Sequence, residues 1–286
     1  LTFRLAHLSD PHIGPLPTPH WRELMGKRAT GYLNWRRGRE RAHDMEALTA
    51  LVADMRAHHP DHVAVTGDVC NLGLPGEFPL AAQWLSTLGP TSEVSLAPGN
   101  HDTYVRSTMS QMARELRPWM TGDNGSPAYP YLRRRDGVAL IGLCTGVPTL
   151  PFVASGRLGA AQRERLEAML YETRNEIRVV MLHHPPVDGG GGIRHLGDNR
   201  AFVELIQRTG AELILHGHSH SISHKNIKGP RGPVPVLGIC SASSIGNNPR
   251  RRAAYYLIDI DAQARRLAIT VRQLGLAGQF QPLAAA

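Results

Sequence analysis

Short apolar runs, each closed by a small or polar residue, recur from the start of the chain to about residue 215. Phe3–Ser9, His62–Thr66, Glu93–Ala97, Val138–Cys144, Arg178–Leu182 and Glu212–Leu215 read as buried strands. Between them the apolar spacing changes toward the helical period. Over Arg39–His58, the residues Met45, Leu48, Leu51, Val52 and Met55 fall on one face. Phe78–Leu88, Ser107–Met120, Ala160–Glu172 and Asn199–Arg208 read as further helices. Strands alternating with helices at this spacing predict an α/β protein with a mainly parallel sheet. After Gly217 the helical pattern stops. Ser221–Ile227, Val234–Ile239, Ala253–Asp259 and Leu267–Arg272 follow as strands, with turns at Gly229-Pro230 and Gly232-Pro233. This strand-rich stretch predicts a second sheet packed on the first. No internal repeat or low-complexity linker divides the sequence, so residues 1–286 are expected to form one domain.

Composition narrows the setting. No run of about 18 apolar residues is present, so no membrane-spanning helix is indicated. Leu1 to Asp10 alternates in polarity and does not form the apolar block of a signal peptide, although a start at Leu1 leaves a processed upstream segment open. Cys70, Cys144 and Cys240 are odd in number and far apart, which points to a reducing compartment and a cytoplasmic protein. A formal charge of +8 favours anionic partners: phosphorylated small molecules, nucleic acid or an acidic lipid surface.

Candidate chemistry gathers just after the strands. Asp10-Pro11-His12 follows the first, and a carboxylate with an imidazole two residues on suits Zn, Mn or Fe. Gly67-Asp68 follows the second; an aspartate there either bridges two cations or caps a turn. Gly99-Asn100-His101-Asp102 follows the third, offering a neutral carbonyl oxygen beside a histidine able to donate a proton. His183-His184-Pro185-Pro186 follows Val179–Leu182, and His216-Gly217-His218-Ser219-His220 follows Ala211–Leu215. Three alternating histidines around a glycine are poor packing material, because neutral imidazoles crowded together waste hydrogen-bonding capacity. Each motif alone also fits an ordinary turn. Their combination is the strong signal.

The ordered set Asp-x-His, Gly-Asp, Gly-Asn-His-Asp, His-His-Pro and Gly-His-x-His resembles the calcineurin-like metallophosphoesterase family, also called the purple acid phosphatase-like fold. In its Asn-His-Asp and His-His-Pro-Pro motifs the chain looks like the cyclic-nucleotide phosphodiesterase branch. The resemblance runs from Asp10 to His220 with all five motifs intact. It implies an α/β sandwich of two mixed β-sheets flanked by helices. It also implies a dinuclear centre of divalent or mixed-valence ions (Mn, Fe or Zn). Asp10, His12, Asp68 and His220 would hold one metal, and Asp68, Asn100, His183 and His218 the other, with Asp68 bridging. A metal-bound hydroxide would then attack phosphorus in line, with His101 protonating the leaving oxygen or stabilising developing charge. His184 would lie beside the ligands or on the substrate side, and His216 would pack at a strand end. Asp102 either orients His101 or caps the following segment; Cys70 is expected to pack.

The segment between the first motif and the helix at residue 45 bears on the substrate. Within an insertion spanning about residues 15–43, Arg22, Lys27, Arg28, Arg36, Arg37, Arg39 and Arg41 are interleaved with Leu24, Met25, Tyr32, Leu33 and Trp35, and the stretch should overhang the site. Such a pattern could meet an anionic membrane surface, grip a nucleotide, or form a solvated basic helix. Phosphodiester hydrolysis is the expected reaction, on a substrate that could be nucleotide- or lipid-linked. A pyrophosphatase acting on a nucleotide-linked lipid such as UDP-diacylglucosamine is the alternative. Nucleic acid is not favoured, since no appended DNA-binding module is seen. A membrane- or nucleic-acid-binding scaffold without chemistry would leave the intact ligand positions unexplained, and a structural zinc site would favour a closed cysteine-rich set.

Overall fold

The alternation along β1 (Phe3–Leu8) shows how the layers are built. Phe3 and Leu5 pack into an apolar layer between two sheets, whereas Ala6 and Leu8 face helices on the outside. The computed structural model describes residues 2–187, 194–246, 248 and 251–283. β2 (His62–Val65) and β3 (Val94–Leu96) continue parallel to β1, and β10 (Ala254–Asp261), β11 (Arg266–Leu274) and β12 (Phe280–Pro282) extend the sheet antiparallel on the other side. The second sheet runs in the order β4 (Tyr131–Arg135), β5 (Val138–Gly142), β6 (Ile177–Met181), β7 (Leu213–His216), β9 (Gly232–Gly238), β8 (Ser223–Gly229). In it, β5, β6, β7 and β9 are parallel, and β4 and β8 form antiparallel edges.

The protein is therefore a sandwich of two mixed sheets. Val179, Met181, Leu213 and Leu215 meet Leu5, Ala64 and Ile258 in the central layer. The helices α2 (Met45–Ala57), α3 (Glu77–Ser86) and α4 (Met109–Glu115) cover the first sheet, and α5 (Ala160–Glu172) and α6 (Asn199–Thr209) cover the second. The strands after Gly217 do not form a sheet of their own, as the sequence pattern suggested. β8 and β9 join the second sheet beside β7, and β10 to β12 join the first beside β1.

Two expected helices are shorter than their periodicity. The stretch from Arg39 begins as a 3-10 turn over Arg39–Ala42, and α2 starts only at Met45, because the Asp44 side chain caps it by accepting from the amides of Glu46 and Ala47. The stretch Ser107–Met120 is broken into 3-10 and α pieces, with Pro118 in the last of them. The basic segment contains one helix, α1 (Lys27–Arg36). Its Arg28 is buried and donates to the carbonyls of Leu72 and Gly73, which pins the segment to the loop after Asp68. The side chains of Arg39 and Arg41 lie outside the described residues, as does Leu1. Among the described residues, no helix is long and apolar enough to cross a membrane.

Candidate metal centre

β1, β2 and β3 point their carboxyl ends to the same edge of the sandwich as β6 and β7. The five motifs therefore meet across the two sheets. Asp10 and His12 follow β1, Asp68 follows β2, Asn100 follows β3, His183 follows β6, and His218 and His220 follow β7. Asp10, His12, Asp68, His218 and His220 all have positive φ, between 43° and 67°. Such backbone costs about 1–3 kcal/mol per residue away from glycine and persists only where its surroundings hold it. Here the Asp10 and His12 amides donate to the carbonyls of Gly67 and Asp68, at 2.9 and 3.1 Å. These tight turns aim the side chains of residues two apart into one space. Gly217 and Gly99 leave room for it: a Cβ on Gly217 would overlap Ser9 and the Asp10 carboxylate, and one on Gly99 would overlap Asp68.

The donor atoms form two groups. Asp10, His12 and His220 each offer an atom within 4.8 Å of the other two, and so do Asp68, His183 and His218. Nε2 of His220 lies 3.1 Å from an Asp10 oxygen, and the other Asp10 oxygen accepts from the His218 amide at 3.0 Å. In the second group Nε2 of His183 has three neighbours at 3.2 Å: an Asp68 oxygen, Oδ1 of Asn100 and Nδ1 of His218. All seven residues expected as ligands are thus in one place.

The residues fit a cation pair. Nδ1 of His183 faces the Thr66 carbonyl at 2.6 Å, and Nδ1 of His12 faces the Cys70 carbonyl at 3.0 Å. A carbonyl only accepts, so in both rings Nδ1 carries the proton and Nε2 of the neutral ring is a lone pair, the tautomer that a metal ligand requires. For His183 that lone pair faces a carboxylate and a carboxamide oxygen, an arrangement that calls for positive charge between them. With only protons to supply that charge, Asp68 and Asp10 outweigh burial and raise His183 to about 10. Nε2 of His218 is buried with no hydrogen-bond partner. A cation among these atoms satisfies them, and the two groups together make a dinuclear divalent centre.

Neighbouring side chains hold the ligands. Asp102 is fully buried and accepts from the amides of Asp68 (2.9 Å), Cys70 (3.0 Å) and Gly99 (2.8 Å). It thus joins the loops of Asp68 and Gly99, while the His101 ring is oriented by its Nδ1 donating to the Asn71 carbonyl and by stacking on Tyr104. Burial and the charge of Asp68 push the Asp102 carboxyl up to about 6. His184 has both nitrogens engaged, Nδ1 with the Thr145 hydroxyl (2.8 Å) and Nε2 with the Ala154 carbonyl (3.2 Å), and its ring packs against His183 and His218. Burial, then the two neighbouring histidines, hold it neutral. His216 is buried at the end of β7, with Nδ1 3.1 Å from the Gly217 carbonyl. Cys70 is packed in the core behind the Asp68 loop.

No motif marked His43. Its ring lies 4.4 Å from that of His12 and 5.9 Å from that of His220, with Nδ1 2.8 Å from the Ser243 hydroxyl. The helical period expected from Arg39 runs over it, but the helix starts only after Asp44; a capping aspartate there is the signal that places residue 43 outside the helix. A cavity of about 440 Å³ opens over the centre, lined by Asn34, His43, His101, Arg194, His220 and Arg251 among others.

A family description, calcineurin-like phosphoesterase, matches residues 3–221. The glycerophosphodiester phosphodiesterase GpdQ of Enterobacter lignolyticus is 26% identical over 77% of this chain and 71% of that protein. A Synechococcus protein named as a probable cyclic nucleotide phosphodiesterase is 28% identical over 74% of this chain and 76% of its own length. The structure of purple acid phosphatase PPD1 from yellow lupin (Lupinus luteus) seeds superposes with a TM-score of 0.55 at 12% identity. That alignment covers 99% of this chain and 53% of the lupin chain, a likeness of fold. With the intact motifs gathered at one edge of a two-sheet sandwich and the family description spanning them, the chain belongs to the calcineurin-like phosphoesterase family.

Proposed function

We propose that the chain is a phosphodiesterase acting through two cations. Asp10, His12, Asp68 and His220 would hold one, and Asp68, Asn100, His183 and His218 the other, with Asp68 shared. The reading is carried by the crowding of acceptor atoms around Nε2 of His183, beside a second donor group of Asp10, His12 and His220. Manganese, iron and zinc all suit a set that mixes imidazoles, carboxylates and a carboxamide. Bound there, the cations would supply Lewis acidity toward a phosphoryl oxygen and a water of lowered pKa as nucleophile.

The remaining tasks fall to the chain's own groups. His101, whose Nδ1 donates to the Asn71 carbonyl, would have a proton at Nε2 only as the imidazolium, and in that form it would give it, or a hydrogen bond, to the leaving oxygen. Arg194 and Arg251 on the cavity wall favour a substrate that keeps negative charge outside the centre. The phosphodiesterase names of the two sequence relatives favour a diester over a pyrophosphate. The organic group is nucleotide- or lipid-linked, and the cavity has room for either headgroup. Residues 1–286 act as one domain, with the segment at about 15–43 laid over the site; Asn34 and His43 on the cavity wall support that placement. Three free cysteines support a cytoplasmic setting.

The test is a metal-free chain reloaded with manganese, zinc or iron and assayed on aryl phosphomonoester, aryl phosphodiester, cyclic nucleotide, glycerophosphodiester and UDP-lipid. Activity should return with metal, with the highest kcat/KM on a diester. A higher value on the monoester or the UDP-lipid would refute the diester reading.

A further inference from the structure

Of the ten large hydrophobic side chains left exposed among the described residues, five lie on two segments. Trp21, Met25 and Leu33 belong to the segment through α1, and Leu150 and Phe152 to the loop before α5. Exposed apolar side chains are unremarkable singly; grouped ones mark a contact surface. The two segments are physically joined, because Nζ of Lys27 donates to the Thr149 hydroxyl at 2.6 Å and to the Val153 carbonyl at 3.2 Å. Lys27 and Arg28 point inward, whereas Arg22, Arg36 and Arg37 are exposed on the same segment as Trp21, Met25 and Leu33, with Arg36 beside Tyr32 and Glu40. The Arg22 guanidinium sits 5.2 Å from the centre of the Trp21 ring. Glu40 is the one fully exposed acid in this stretch, since Glu23 is half-buried and accepts from the His20 amide.

The position of this rim matters as much as its content. Between the two segments runs a groove lined by Lys27, Asn34, His101, Tyr104, Phe152 and Arg194. It shares Asn34, His101 and Arg194 with the cavity over the metal centre, so the groove that Phe152 lines between the two segments leads to the site.

We propose that this rim docks on an anionic lipid bilayer, with the entrance to the metal cavity facing the headgroups. Trp and Leu side chains enter the boundary between headgroups and acyl chains, and exposed arginines meet the negative surface. A protein partner would also cover apolar side chains, but the arginines interleaved with them favour a negatively charged surface. Docking rests on the phosphoesterase reading only for what the entrance then acts on; the binding itself is read without turnover.

The full chain is sedimented with vesicles of phosphatidylcholine alone and with about one third phosphatidylglycerol, at low and high salt. The wild-type chain should bind the anionic vesicles at least about tenfold more tightly, and lose that preference in salt. Trp21→Ser with Met25→Ser, and separately Leu150→Ser, should lower binding about tenfold or more. Arg22→Gln with Arg36→Gln and Arg37→Gln should lower it about fivefold per charge on anionic vesicles only. All should keep wild-type hydrolysis of a soluble aryl phosphodiester, which separates docking from loss of fold or chemistry. The proposal is overturned if the wild-type chain stays in the supernatant, or if the serine variants bind as wild type. It is also overturned if the same substitutions abolish a dimer that does not bind vesicles, which would make the rim a contact between copies. Absent turnover with vesicle binding intact would count against the phosphoesterase reading alone.

Discussion

Replacing Gly99 or Gly217 by alanine should act differently on the two proposed cations without substituting any residue proposed to hold them. A Cβ on Gly99 would stand 2.7 Å from the Asp68 amide nitrogen and 2.9 Å from its Cγ, with a carboxylate oxygen nearer still. Ordinary contact begins at 3.4 Å, so Asp68 must retreat by at least about half an ångström. Gly99 cannot retreat instead, because its amide is held by Asp102 at 2.8 Å. Metal ligation tolerates about 0.2 Å. A displaced Asp68 therefore loses both cations, each weakened about a hundredfold or more. On Gly217 the new methyl would overlap the Asp10 carboxylate and stand 2.7 Å from Cβ of Ser9, so its nearest contacts lie on the Asp10 side of the centre. Gly217→Ala should weaken the cation of Asp10, His12 and His220 more than the other, which it reaches only through the His218 amide bound to Asp10. Each variant should also lose about 1–3 kcal/mol of stability from overpacking, measured by thermal melting in chelator. The assay is metal content per chain after equilibration at controlled free manganese or zinc. Two tightly held ions in both variants, or equal loss in both, would refute the geometry.

Further outcomes follow from the same structure. His101→Ala should keep both metals and lower kcat on an aryl diester about 10²- to 10⁴-fold, and metal loss in that variant would make His101 a ligand. Asp102→Ala strands the amides of Asp68, Cys70 and Gly99, at about 1–3 kcal/mol each, so both folding stability and metal retention should fall; wild-type thermal stability would refute the loop-joining role. His7 and His62 are fully buried and held neutral, each lowered by burial from the usual 6.5 to about 3. Between those values the unfolded chain binds the additional proton, so their contribution is complete above about pH 6.5 and is lost as pH falls toward 3. Chelated protein should lose about 2 kcal/mol per histidine between pH 7 and pH 5, and a flat denaturant midpoint across that range would contradict their neutral burial.

The candidate ligands were legible because each stands just past an apolar strand, and strands that end at one edge bring such residues together whatever the loops between them do. Between His183 and His184 only the family resemblance chose, and the structure supplies a physical reason for that choice: both nitrogens of His184 are already used by Thr145 and Ala154. Other features depend on contacts that local pattern does not encode. Tyr131–Arg135 is a strand although three of its five residues are arginines, because Arg133 is buried and donates to the carbonyls of Thr91, Val94, Pro118 and Thr121. α1 carries a buried arginine and an exposed leucine, so its inward face does not read as apolar. The late strands were visible, but not their partners, since the pairing of β9 beside β7 and of β10 beside β1 is a choice made across the whole chain. His43 stands beside the centre because α2 begins only after the Asp44 cap, which leaves residue 43 in extended backbone.

Anomalous diffraction from crystals grown with manganese tests most directly whether these seven side chains hold a cation pair. Two peaks about 3.5–4 Å apart are expected, with Asp68 between them, Asp10, His12 and His220 around one, and Asn100, His183 and His218 around the other. A single peak, or two that leave Asp68 unshared, would contradict the account.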